Sequence, residues 1–144
     1  MAGFRHILVP TDFGDIAEHA LDLAVDLAKQ YGAKLTLAHV YSIPTPAYAE
    51  ALAWPLDEIE KAAREALDRE LTKTMTRHAQ TEAVLDTGVP HDRLLEIVKT
   101  RGVDLVVMGT HGRRGLPRFV LGSVAEKMVR LSPVPILTVP GAHT

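Results

Sequence analysis

The chain has 144 residues, 47% hydrophobic and 24% charged, with a formal net charge of −2; this is the profile of one soluble globular domain long enough to bury a real core. That balance argues against a general nucleic-acid binder, which carries a basic domain. The chain has no cysteine, which excludes disulfides, thiol redox centres and cysteine-ligated zinc.

The N-terminal Met1-Ala2-Gly3-Phe4-Arg5-His6 lacks the apolar core of a signal peptide. Ala2 behind Met1 rules out myristoylation at Gly3. Ile7-Leu8-Val9 reads as a buried first strand, closed by the turn residues Pro10-Thr11-Asp12. Asp15 with Glu18 resembles a capping box. Ala17, Ala20, Leu21, Ala24, Ala28 and Tyr31 then recur at helical spacing until Gly32 ends the helix. Residues 34–40 form a second strand. Across 42–57, Pro44, Pro46 and Pro55 forbid a regular helix, although a helical turn fits 47–53.

Asp57 and Glu60 give a second capping signature. Ile59, Ala63, Ala66, Leu67 and Leu71 carry that helix to about His78. A weak third strand spans 82–86. Pro90 opens a third helix with Leu94, Leu95 and Val98 inward and Gly102 at its end. Residues 104–108 are apolar almost throughout, the pattern of a parallel strand covered on both faces. A last helix follows Gly122. A final strand, 134–139, is bracketed by Pro133, Pro135 and Pro140. No stretch approaches the ~18 apolar residues of a membrane span. The expectation is one cytoplasmic domain over residues 1–144, with no membrane or nucleic-acid partner.

Strands alternating with helices mean an open α/β fold with a mostly parallel sheet. Such sheets bind ligands beyond the carboxyl ends of the strands, where strand order reverses. Two segments qualify: Pro10-Thr11-Asp12, and the loop Gly109 to Ser123, G-T-H-G-R-R-G-L-P-R-F-V-L-G-S. Glycines let backbone amides approach a ligand, and a helix N-terminus adds unpaired N–H groups and partial positive charge. The loop carries Arg113, Arg114 and Arg118 and no acid, so it suits phosphate; Arg113 is the arginine assigned to it.

Ser123 has two roles open, since Ser123 with Glu126 also spells a capping box. Asp12 is a turn former or a ligand of Mg²⁺ (or Mn²⁺), a metal that takes few carboxylates beside substrate phosphates. His111 neighbours the expected phosphates as a solvated or backbone-bonded ring rather than a catalyst. The seven histidines include no i, i+4 metal pair and no H-E-x-x-H motif. Ser123 has no G-x-S-x-G elbow, and Lys127 reads as helix surface. Trp54 either covers the crevice or makes a satellite contact.

These residues resemble the universal stress protein family over nearly the whole chain. The resemblance rests on Ile7-Leu8-Val9-Pro10-Thr11-Asp12, on the second strand, and on Asp104-Leu105-Val106-Val107-Met108-Gly109. It rests further on the spacing Gly109, Gly112, Gly122-Ser123, which matches the G-x2-G-x9-G-[S/T] signature of the ATP-binding branch. The ending Ser132-Pro133-Val134-Pro135-Ile136-Leu137-Thr138-Val139 is also similar. The first helix departs: Phe13-Gly14-Asp15-Ile16 stands where many relatives have Gly-Ser.

The resemblance implies a Rossmann-like, adenine nucleotide alpha hydrolase-like fold. Its five-stranded parallel sheet would have helices on both sides and strand order 3-2-1-4-5. It implies ATP with Mg²⁺ as cofactors. Pro10, Thr11 and Asp12 would lie by the adenosine, Val40 at the adenine, and Met108 and Gly109 on the floor. Gly112, Arg113, Gly122, Ser123 and Val124 would surround the phosphates and ribose. It also implies a homodimer through 134–139. The functional expectation is a nucleotide-dependent stress-response module with no catalytic residue. The alternatives are slow Mg-dependent ATP hydrolysis, for which no general base or G-x-x-x-x-G-K-[ST] loop is evident, and a dimeric interaction module independent of nucleotide. A phosphoryl-accepting receiver lacks its clustered acids and its lysine.

Overall fold

The computed structural model describes residues 3–43, 55–111 and 121–141. Strands β1 (His6–Pro10), β2 (Lys34–Tyr41), β3 (Thr81–Thr87), β4 (Leu105–Gly109) and β5 (Ile136–Val139) alternate with helices α1 (Asp15–Tyr31), α2 (Leu56–Arg77), α3 (Pro90–Arg101) and α4 (Ser123–Leu131). The strands form one sheet in the order β3-β2-β1-β4-β5, and every pairing is parallel. This is the order the resemblance implies.

Alternation along β1 divides the core. Ile7 and Val9 point to one face, where they meet Ala20, Leu21, Ala24, Val25 and Ala28 of α1 and Leu67 of α2. Leu8 points to the other, onto Leu94, Ile97 and Val98 of α3 and Ala125 and Met128 of α4. The alanines of α1 let that helix lie close to the sheet. A Cβ on Gly109 would collide with the Ile16 side chain, and one on Gly141 would stand 3.2 Å from it. Gly109 is therefore a seat for α1 at the end of β4.

Several local expectations change. Gly14, Pro55 and Gly122 occupy the N-cap positions of α1, α2 and α4, none with a side-chain cap. Asp15 and Ser123 are already the first helical residues, one place too late to cap. Tyr31 is 44% exposed and packs edge-on against Phe4, outside the core. β5 starts at Ile136, two residues later than the expected strand. Pro133 and Pro135 lack the N–H a ladder needs, although the Pro135 carbonyl still accepts from Val106 N–H at 3.0 Å. Asp104 stands just ahead of β4, where its carboxylate accepts the amides of Arg5 and His6.

Candidate functional site

β1 is the pivot of the sheet: the chain leaves it toward β2 on one side and returns to β4 on the other. A cavity of about 420 Å³ opens beyond the carboxyl ends of β1 and β4, where such sheets bind ligands. Pro10, Thr11, Asp12, Val40, Met108, Gly109, His111, Gly122, Ser123 and Val124 all line it. Of the expected site residues, Gly112 and Arg113 lie outside the described residues, as do Arg114, Arg118 and Trp54.

The β1 end is a locked turn. Thr11 N–H donates to the Ala38 carbonyl at 2.8 Å. Thr11 Oγ1 accepts Phe13 N–H, and Asp12 Oδ1 accepts Gly14 N–H, each at 2.9 Å. These bonds hold Phe13 at φ 67°, a left-handed conformation costing a side-chain-bearing residue roughly 1–2 kcal/mol. The Phe13 ring leans on His39, with centroids 4.5 Å apart. His39 lines the same cavity, and its Nδ1 lies 2.7 Å from the Thr11 carbonyl. A carbonyl only accepts, so Nδ1 carries the proton and Nε2 keeps its lone pair in the neutral ring. Sequence reading missed His39; its place at the strand end beside Val40 is the signal that could have found it.

The Val40 side of the cavity follows from strand geometry. Ala38 turns its carbonyl toward β1, and β1 ends its register there, Pro10 opposite Ala38. Two residues on, alternation directs Val40 N–H and C=O to the same side. No described strand stands there. Val40 thus offers one donor and one acceptor, side by side, at the cavity wall.

The other end is the start of α4. Gly122 is buried in extended backbone, φ −64° and ψ 162°. Its own N–H donates to the Thr110 carbonyl at 2.7 Å. The amide of Gly122 is therefore spent on fixing the loop to β4 and is not a free ligand donor. The first helical bond runs from Glu126 N–H to the Gly122 carbonyl. The amides of Ser123, Val124 and Ala125 precede it and have no helical acceptor. All three residues line the cavity, where the helix end adds partial positive charge. Ser123 is exposed and its hydroxyl caps nothing, which removes the capping role.

His111 is buried, not solvated, and its Nδ1 sits 3.0 Å from Thr110 Oγ1 rather than on backbone. Its Nε2 is buried without a partner among the described residues. Ala17, Ala38, Pro90, Leu94 and Thr110 also line the wall; the sequence did not mark them as site residues, since apolar residues of a helix or strand signal core as readily as pocket and Thr110 carries no motif of its own. Among the described residues no group of three or more His, Cys, Asp or Glu could hold a metal ion, and no helix is long and apolar enough to cross a membrane.

The profile of the Universal stress protein family matches residues 3–140. The chain belongs to the universal stress protein family. It is 32% identical over 146 residues to the universal stress protein YxiE of Bacillus subtilis, covering 94% of this chain and 99% of that relative. Among solved structures it resembles the universal stress protein UspA of Lactobacillus plantarum, with a TM-score of 0.82 and 26% identity over 96% of this chain and 99% of that one. It also resembles a universal stress protein crystallised in complex with cAMP, with a TM-score of 0.70 and 28% identity over 98% of this chain and 100% of that one.

Proposed function

We propose that the cavity binds ATP with Mg²⁺, and that this universal stress protein acts as a nucleotide-dependent stress-response module. One observation carries the reading: Val40, Ser123 and Val124 line a single cavity, and among the described residues no backbone partner is found for the Val40 peptide group or for the Ser123 and Val124 amides. Adenine presents an acceptor, N1, beside a donor, its 6-amino group. Val40 N–H and C=O match that pair. Backbone amides at a helix start match phosphate oxygens. The relative crystallised with cAMP supports an adenine nucleotide in this family.

The donor set fits Mg²⁺ only as a companion of the nucleotide. Asp12 is the one carboxylate on the cavity wall among the described residues, and Oδ1 is engaged by Gly14 N–H. A single carboxylate with phosphates and water suits Mg²⁺. Bound metal would neutralise phosphate charge, with Asp12 as its protein ligand.

The proposed assembly is a homodimer through β5. That strand pairs with β4 alone among the described strands, and Leu137 on it is 38% exposed. An open strand edge is a template for pairing with a second copy. Nucleotide would control the dimer or a partner only by binding one state better than another.

The test is calorimetric titration of ATP with Mg²⁺ into the wild-type protein and a Gly122→Val variant, with circular dichroism to establish that both fold. The reading expects one ATP per chain in the wild type and binding weakened by at least ~10-fold in the variant. Equal binding by the two proteins would remove the site.

A further inference from the structure

Helix α2 is held to the body by few residues. Of its 22 positions only Leu67, Glu70 and Thr74 are buried, with Leu71 partly packed on the same core. One of those three anchors is a carboxylate. Glu70 is 6% exposed, so a charge there must be matched. Its Oε2 meets Lys73 Nζ at 3.4 Å, but that side chain is 68% exposed. Its Oε1 is buried and has no partner among the described residues.

The group facing it is a second carboxyl. Glu18, in the first turn of α1, lies close enough to the Glu70 carboxyl for Glu70 to be the largest cause of its raised pKa. Two ionised carboxylates are acceptors only and cannot bond one another. A single proton between them makes the contact possible. It also supplies the donor that Glu70 Oε1 lacks.

We propose that Glu18 and Glu70 share one proton across the α1–α2 contact, and that this proton is a latch whose loss loosens α2 from the body. The raised pKa is that of Glu18, and Lys73 stands 3.4 Å from Glu70 Oε2. The surrounding charges are few. From α2 come Glu70 and Lys73, the second opposing the first. From α1 comes Asp22, which adds negative charge but is itself bonded to Arg77 of α2 at 2.9 Å.

The hydrogen bond to Glu70, then burial, then the Glu70 charge push the Glu18 carboxyl up from 4.5 to about 7. A folded value raised above the unfolded one fixes the sign. The latch is complete below pH 4.5 and is lost as pH rises through about 7. Glu18 also belongs to the turn that shapes the cavity: its N–H bonds the Gly14 carbonyl at 3.0 Å, and its neighbour Ala17 lines the wall. The latch thus sits beside the cavity, and the inference does not depend on what the cavity binds.

The test follows glutamate carboxyl carbons by ¹³C NMR from pH 3 to 9, in the wild type and in Glu70→Gln and Glu18→Gln. One wild-type glutamate is expected to titrate at about 7. In Glu70→Gln that midpoint falls to within ~1 unit of the ordinary ~4.3. Amide exchange along α2 supplies the second readout. In the wild type, protection of residues 67–74 falls by at least ~10-fold between pH 6 and 8 after correction for intrinsic exchange. In both glutamine variants it stays flat, because an amide donates at every pH. Glu18→Gln, at the more exposed position, carries the test if Glu70→Gln does not fold. Every glutamate titrating below ~5.5 would overturn the proposal. Exchange in the variants that keeps the wild-type pH dependence would overturn it too.

Discussion

Replacing Ser123 with alanine separates two roles that sequence alone assigns to one hydroxyl. A capping serine contributes about 1 kcal/mol to its helix. In the structure Gly122 holds the cap position and Ser123 is the first helical residue, exposed and without a cap bond. Ser123→Ala therefore leaves the stability of the nucleotide-free protein within ~0.5 kcal/mol of wild type, as for a surface change. Binding is a different matter. A hydrogen bond to a charged group contributes roughly 1.5–3 kcal/mol, and exposure of this position favours the low end. At about 1.4 kcal/mol per tenfold, Kd for ATP with Mg²⁺ rises about 10-fold. Urea unfolding without nucleotide and calorimetric titration with it are the two assays. A stability loss near 1 kcal/mol, or a Kd within about twofold of wild type, would refute the reasoning that the hydroxyl faces ligand and not helix.

Other expectations follow from the same geometry. Guanine presents a donor and an acceptor in the reverse order to adenine, so against Val40 both contacts are mismatched; unmade bonds at a buried site cost about 1–3 kcal/mol, and competition titration should find GTP at least ~10-fold weaker than ATP. Gly102 caps α3 at φ 68° and ψ 32°, and a Cβ there would touch nothing within 4 Å. Gly102→Ala therefore reports backbone strain alone, about 1 kcal/mol and a Tm drop of ~3 °C in a thermal melt. Burial, its largest cause, lowers the His6 pKa below 6.5. The folded state then resists a proton that the unfolded chain accepts, so this contribution is intact above pH 6.5 and is lost as pH falls through the lowered value. The urea midpoint of His6→Gln should therefore decline less between pH 7 and 5 than that of wild type.

The sequence made the strands around the site readable for a physical reason. Ile7-Leu8-Val9 and Leu105-Val106-Val107-Met108 are buried on both faces, and central parallel strands must be apolar throughout. Strand order came from the family resemblance and not from periodicity, which carries no information about neighbours. The cap positions failed by one residue in α1 and α4 and by two in α2. Asp15, Asp57 and Ser123 have the right chemistry for capping, but Gly14, Pro55 and Gly122 precede them in extended backbone or at a proline, and the helix starts where the backbone turns. Tyr31 kept the helical spacing yet fell at the helix end, beyond the core and over Gly3. Glu70 was invisible for the opposite reason: it sits in a helix dense with charge, and only packing against α1 reveals that this one acid is inside. The Gly122 amide shows how far a motif reaches. Its spacing located the α4 end of the cavity, but the hydrogen bond to Thr110 leaves Ser123 and Val124, not Gly122, as the amides without a helical acceptor.

Titration of ¹⁵N-labelled protein with ATP and Mg²⁺, followed amide by amide, tests the account at its centre. It predicts that Val40, Ser123 and Val124 shift together, along one binding curve, while amides at the opposite end of the sheet, such as Lys34 and Asp104, stay still. Saturation by ATP with Val40 or the start of α4 unmoved would contradict it.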